Sequence, residues 1–206
     1  MSRAPARRRT PAAPRARKPP AGAGPDAPLG PDDILERAGA AMLKLAAERP
    51  WREVSLRAIA AEAGTPLPAL YERAPSALHL LAWLSGRFDR AALTAEAESE
   101  DPHDRLFEAV MARVEAMEPH RAALTAIIGA ENPLALAPHL PRTARAILEG
   151  AGIPATPARW AAMSALWTRI VQVWRDDGGA LNRTMAEIDK RLRQFRSLMR
   201  RLGEGF

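Results

Sequence analysis

Five side chains able to give or take hydrogen bonds, Ser55, Arg57, Thr65, Tyr71 and Arg73, bracket a single glycine, Gly64. No nucleophile and base are paired beside them. Hydroxyl, guanidinium and phenol groups of this kind suit contacts to phosphate oxygens and base edges rather than bond making. Their spacing calls for two short helices. Ser55 can cap the first, its hydroxyl accepting a backbone N–H two or three residues on. Leu56, Ile59, Ala60 and Ala63 share one helical face. Gly64 sits where the reversal needs a residue tolerant of positive φ. Leu67 and Leu70 then fall back on the first helix. Such a pair is a helix-turn-helix, whose second helix can enter the major groove of DNA, or equally a helical hairpin inside an all-α core.

Elsewhere the sequence argues against catalysis. His79, His103, His120 and His139 are scattered, and no two have the i, i+4 spacing of a helical metal site. His103-Asp104 reads as helix capping. Asp32-Asp33 and Asp176-Asp177 fall at helix boundaries, where capping accounts for them. There is no Gly-rich phosphate loop and no Gly-x-Ser-x-Gly elbow. Cysteine is absent, which excludes disulfides and thiolate chemistry. No catalytic residue, metal ligand or cofactor is therefore expected, and the chain reads as a non-enzyme.

The elements that must position the five side chains follow from composition. Of 206 residues 47% are apolar, with Ala and Leu dominant and one tyrosine, a mix that predicts an all-α fold. Residues 1–24 carry a charge of +7 with no acid, against a net +6 for the whole, so the remainder balances at −1. This Pro/Ala/Arg tail, residues 1–30, has too little apolar surface to fold and is expected to be disordered. It could sit on phosphates through counterion release or serve only as a solubilising leader. Its prolines oppose the amphipathic helix of a transit peptide, and it lacks the apolar core of a secretory signal. A cytoplasmic location is expected. No apolar run approaches the roughly 18 residues of a membrane span, so no stable insertion is expected.

Asp32 or Asp33 can cap a first helix near Ile34, which Pro50 ends. Trp51 and Val54 then plug the gap to the helix-turn-helix. This predicts a DNA-binding unit over 31–76 and a larger helical domain over 77–206. In the latter, one helix opens at Pro75-Ser76 and runs to the acids near Glu96–Glu100. A second follows Asp101-Pro102 and ends at Pro119. A short helix carries Leu124, Ile127 and Ile128. A Pro-interrupted stretch holds Leu134, Leu136 and Leu140 before a helix stopped by Gly150 and Gly152. Trp160, Trp167 and Trp174 recur every seven residues on a long helix, as core packing, a cavity lining or a dimer seam. Leu181, Met185, Ile188, Leu192, Phe195, Met199 and Leu202 line a last helix. Its basic face, Lys190 to Arg201, is either solvated or able to lie on an anionic membrane.

The pattern Ile59-Ala60-Ala61-Glu62-Ala63-Gly64, with Ser55 before it and Leu70-Tyr71 and Pro75-Ser76 after it, resembles the TetR family of transcriptional regulators over about 50 residues. The resemblance implies a recognition element from Thr65 to Arg73, with Thr65, Pro66, Pro68, Ala69, Tyr71 and Arg73 toward DNA. It places Ser55 and Arg57 near phosphates. It gives Tyr71 a phosphate contact through its hydroxyl and a ring packed on the first helix. It also implies a homodimer through the last two helices, double-stranded DNA as partner, and a small apolar ligand that releases a repressor. Trp83, Phe107, Met111, Trp167 and Trp174 are the candidates for that ligand's pocket, or for core.

The sequence departs from the family at several points. Pro66 and Pro68 remove two backbone donors and shorten the second helix. Ala74 and Ala77 stand where an aromatic and a lysine are usual, and Glu72 faces phosphate with the wrong sign. Thr65 and Arg73 remain as the hydrogen-bonding base readers. Trp174-Arg175-Asp176-Asp177 and Asn182-Arg183-Thr184-Met185 are similar to the closing region of the COQ9 family, lipid-binding auxiliaries of ubiquinone biosynthesis with a decayed helix-turn-helix on the same fold. That similarity implies a lipid-binding, membrane-associated alternative.

Overall fold

Pro31 opens the first helix, α1 (Pro31–Glu48), ahead of the expected Ile34. Its fixed φ suits a first helical position that needs no N–H donor. Asp33 folds back to accept the Gly30 N–H at 3.1 Å. Asp32 and Asp33 thus belong to the first turn, where the helix dipole favours carboxylates, rather than preceding the helix. The computed structural model describes residues 30–131 and 136–206. The basic tail, apart from Gly30, and Leu134 lie outside them.

A 3₁₀ turn, Trp51–Glu53, follows α1 and buries Trp51. Next come α2 (Leu56–Glu62), α3 (Leu67–Tyr71) and α4 (Ala77–Leu93). Ser76 caps α4 by accepting the His79 N–H at 3.3 Å. The helix stops at Leu93, short of the acidic stretch to which it was expected to run. Asp101 caps α5 (Pro102–Met117), and Pro119 sits in a 3₁₀ turn before α6 (Arg121–Ala130). Another 3₁₀ turn leads to α7 (Leu140–Gly150). Thr156 caps α8 (Pro157–Arg175). The last helix is α9 (Asn182–Arg201). Asp177 supplies its cap across the intervening loop. Its carboxylate accepts from the Thr184 N–H at 2.8 Å and the Thr184 hydroxyl at 2.6 Å. Among the described residues there is no strand.

Helices α2 and α3 lean on α1, which lies along α6 and against α4. Helix α4 packs on α5 and α7, α7 on α8, α8 on α9, and α9 returns to α5. One apolar core runs from Ile34 through Leu80, Val110, Ile147 and Ile170 to Met199. Two glycines matter to this packing. Gly64 has φ +60 at the α2–α3 reversal. Gly150 ends α7 where that helix crosses α4, and a Cβ there would overlap the carbonyl oxygen of Ala92.

The three tryptophans of α8 divide. Trp174 is core, Trp167 lies under a buried arginine, and Trp160 is half-buried with Arg145 over its ring. The inward stripe of α9 is Thr184, Ile188, Leu192, Phe195 and Met199. Met185 and Leu202, expected inside, are exposed. Among the described residues no helix is long and apolar enough to cross a membrane.

Candidate functional site

Ser55 caps α2 as its type and place demand, accepting the Ala58 N–H at 3.1 Å. Ile59 and Ala60 are buried on α1, while Leu56 and Ala63 are half-buried. Arg57 lies on the solvent side of α2. Lys44 of α1 bridges to Glu62 of α2 at 2.6 Å across the surface. Past Gly64, Pro66 stands at the N-cap position of α3 without a capping side chain and Pro68 occupies its first turn, so five residues are regular helix. Leu70 is fully buried and pins α3 to the core.

The side chains of the expected recognition element do not all face outward. Thr65 is 7% exposed, and its hydroxyl lies under the turn without a hydrogen-bond partner. Burial removes it from the outer face where a base reader must stand. Tyr71 is 59% exposed, so most of the side chain lies at the surface. Arg73 donates from Nη1 to the Ala69 carbonyl at 2.7 Å and lies 3.7 Å from Glu72. Pro66 and Pro68 are exposed and Ala69 half-buried. Ala74 is buried where the aromatic was missed. Arg37, Lys44, Arg49, Arg52, Arg57 and Arg73 are outnumbered in residues 31–76 by Asp32, Asp33, Glu36, Glu48, Glu53, Glu62 and Glu72. The unit by itself therefore has a net charge of −1.

A second feature is a cavity of about 240 Å³ walled by α4, α5, α6, α7 and α8. Leu81 and Phe88 of α4, Leu124 and Ile128 of α6, and Trp167 and Val171 of α8 give it an apolar lining. Of the five residues proposed for a pocket, Trp167 lines it. Met111 and Trp174 are core, Phe107 is half-buried against that core, and Trp83 stacks beneath Arg87 near Gly39 of α1.

One wall is polar. The Arg113 guanidinium donates from Nε to Asp89 at 2.8 Å and from Nη2 to Ser85 at 2.9 Å and Thr143 at 3.3 Å. It lies 4.3 Å over the Trp167 ring. The Thr143 hydroxyl also donates to Asp89, at 2.9 Å. Burial pushes the Arg113 guanidinium below its ordinary range, with Asp89 opposing the shift. Sequence reasoning missed this group, although a signal existed. Arg113 interrupts the apolar stripe of Leu106, Val110, Val114 and Met117, and Asp89 follows Phe88 on that of α4. Charges at such positions are seldom buried unless paired.

Helix α6 joins the two features. It walls the cavity with Leu124 and Ile128 and lies along α1 on its other side. Its end is tied to the 3₁₀ turn after α1, where Trp51 Nε1 donates to Glu131 at 2.6 Å. Separately, a shallow groove between α8 and α9, floored by Ala162, Ala165 and Leu166, leaves Leu198 43% exposed at its edge.

No family model matches the chain, and no curated protein matches it. Solved structures do. A TetR transcriptional regulator from Rhodococcus sp. RHA1 superposes with a TM-score of 0.62 at 21% identity, over 80% of this chain and 96% of that one. A tetR-family transcriptional regulator from Streptomyces coelicolor gives 0.54 at 16% identity, over 84% and 82%. A further transcriptional regulator from Rhodococcus sp. Rha1 gives 0.51 at 20% identity, over 79% and 96%. The chain therefore has the TetR-like all-α fold.

Proposed function

We propose that the chain is a transcriptional regulator that binds double-stranded DNA as a homodimer and is released, as a repressor would be, by a small apolar ligand. The observation that carries this reading is the Ser55-capped α2, the Gly64 reversal and α3, braced by α1 within a fold shared with TetR regulators over 80% of the chain. Exposed Arg57 and the Tyr71 phenol would meet phosphates. Arg73, in the turn just after α3, would be the long donor beside that helix once it leaves the Ala69 carbonyl. A second copy would cover the groove between α8 and α9, setting the spacing of two half-sites. The cavity is the place for the ligand, and α6 is the element through which its occupant would favour one arrangement of α1 over another.

The test is binding of the whole chain, and of residues 30–206 alone, to its own upstream intergenic DNA and to scrambled DNA at two salt concentrations. Discrimination by residues 30–206 that survives the higher salt, and that Tyr71→Phe with Arg73→Ala abolishes in a folded protein, is the expected result. Binding that needs the tail and does not discriminate would reduce the affinity to counterion release. It would return the reading to a lipid-binding auxiliary with a decayed helix-turn-helix.

A further inference from the structure

Two guanidiniums line the cavity, and they differ in what they already hold. Arg113 is committed, with Asp89 on Nε, Ser85 and Thr143 on Nη2, and Met117 sulfur on Nη1 at 2.9 Å. The Asp89 carboxylate balances its charge inside the cavity wall, and its other oxygen lies 3.7 Å from the exposed Arg142. Arg175, the last residue of α8, is not committed in this way. Its Nε is buried and has no hydrogen-bond partner. Its Nη2 lies 3.2 Å from the point where a Cβ on Gly129 would be. The glycine thus leaves room for the guanidinium to cross α6 beside Ile128, another residue of the lining. Thr168 and Gln172 precede Arg175 on the cavity side of α8 and add further hydrogen-bonding groups. A desolvated donor without an acceptor is uncommon in a folded protein and points to an acceptor from outside the chain.

We propose that the cavity takes a monoanionic amphiphile, a compact apolar body ending in one carboxylate, with the carboxylate on Arg175 and the body against Leu81, Phe88 and Trp167. This names the chemical class of the ligand in the regulator reading above and rests on that reading only for its consequence at DNA. Charge selects the monoanion, because Asp89 already answers Arg113 and Arg175 remains. The two oxygens of a carboxylate match the guanidinium fork, and the single charge favours it over a phosphate monoester, which is close to dianionic at neutral pH. The volume of about 240 Å³ suits a compact body, lying below the roughly 300–1,000 Å³ of drug-sized sites.

The experiment titrates the full chain calorimetrically with octanoate, octanamide and octylamine, then repeats the series with Arg175→Gln and Arg175→Lys. Octanoate is expected to bind roughly tenfold more tightly than octanamide, as a charge-assisted hydrogen bond allows. Octylamine should bind weakest. Arg175→Gln should bring octanoate down to octanamide while leaving octanamide within about twofold, and Arg175→Lys should keep part of the preference. A melting curve for each variant checks that it folds. Octanamide binding as tightly as octanoate, a preference unchanged in Arg175→Gln, or no octanoate binding at all would overturn the proposal. Adding each compound to the protein–DNA complex separates the two readings. Preferential octanoate binding that leaves the complex intact upholds the ligand class and refutes release of DNA through this cavity. Equal release of DNA by octanoate and octanamide does the reverse.

Discussion

Asp89→Ala tests whether the polar wall of the cavity is a desolvated ion pair. The side chains of Asp89 and Arg113 are each 4% exposed, and Nε and Oδ1 are 2.8 Å apart. Removing the carboxylate takes one acceptor from Arg113 and the acceptor of the Thr143 hydroxyl. It leaves a cation in the core with two hydroxyls, a thioether and the face of Trp167. Breaking a buried pair costs roughly 3–5 kcal/mol. The remaining hydroxyls place the expected loss near the lower end, about 3 kcal/mol. For a chain of this size each kcal/mol moves the melting temperature by about 2–4 °C, so a fall of about 6–12 °C is expected. Urea unfolding followed by far-ultraviolet circular dichroism gives the free energy directly. The companion variant joins Arg113→Met with Asp89→Leu. It removes both charges and should lie within about 1 kcal/mol of the parent, because well-packed apolar side chains can replace a buried pair. A loss under about 1 kcal/mol for Asp89→Ala would mean that water reaches Arg113. A double variant less stable than Asp89→Ala would mean that the cost lies in packing rather than in an uncompensated charge. Either result refutes the argument.

Other positions give sharper local expectations. Gly150→Ala sets a Cβ 2.8 Å from the Ala92 carbonyl carbon, forcing α4 and α7 apart at a cost of about 2 kcal/mol in urea unfolding. Gly64→Ala meets no neighbour within 4 Å and should lose only the left-handed backbone preference, about 1 kcal/mol in the same assay. Ser55→Ala removes the acceptor for the Ala58 N–H and should cost about 1 kcal/mol, with faster amide exchange confined to the start of α2. The Arg121 guanidinium holds the Glu118 carboxyl below the usual carboxylate range, against burial, and the Trp174 indole N–H adds to the effect. A lowered carboxylate stabilises fully above its ordinary pKa of about 4.3 and loses that contribution as pH falls through the folded value. Glu118→Gln should therefore cost about 1 kcal/mol at neutral pH, with the gap to the parent closing below about pH 5 in parallel urea titrations.

Local signals in the sequence were legible where one residue type answers one backbone need. Ser55, Gly64, Ser76 and Asp101 each mark a helix end that a side-chain cap or a positive φ settles nearby. Helix faces were legible to within one position. On α9 the apolar period admits either Met185 or its neighbour Thr184, and the Asp177 carboxylate decides it by drawing Thr184 inward. The start of α1 was misplaced because capping by Asp32 or Asp33 and Pro31 at the first position give equally good local patterns. The candidate site was less legible. Thr65 reads as an outward hydroxyl until the Gly64 reversal turns it under the chain. The cavity brings together Arg113, Thr143 and Arg175 from α5, α7 and α8. No periodicity along one helix shows which residues of three helices will meet.

The placement of α6 has a consequence for the whole molecule. A close-packed helix cannot yield to a guest on one side without altering its fit on the other. On the regulator reading proposed above, α6, with the cavity on one flank, α1 on the other and Trp51 tied to Glu131 at its end, would make one equilibrium of two. Thermodynamic reciprocity then applies in both directions. Whatever steadies α1 would then alter what the cavity accepts, by the same factor with which the contents of the cavity would alter what α1 and its neighbours hold.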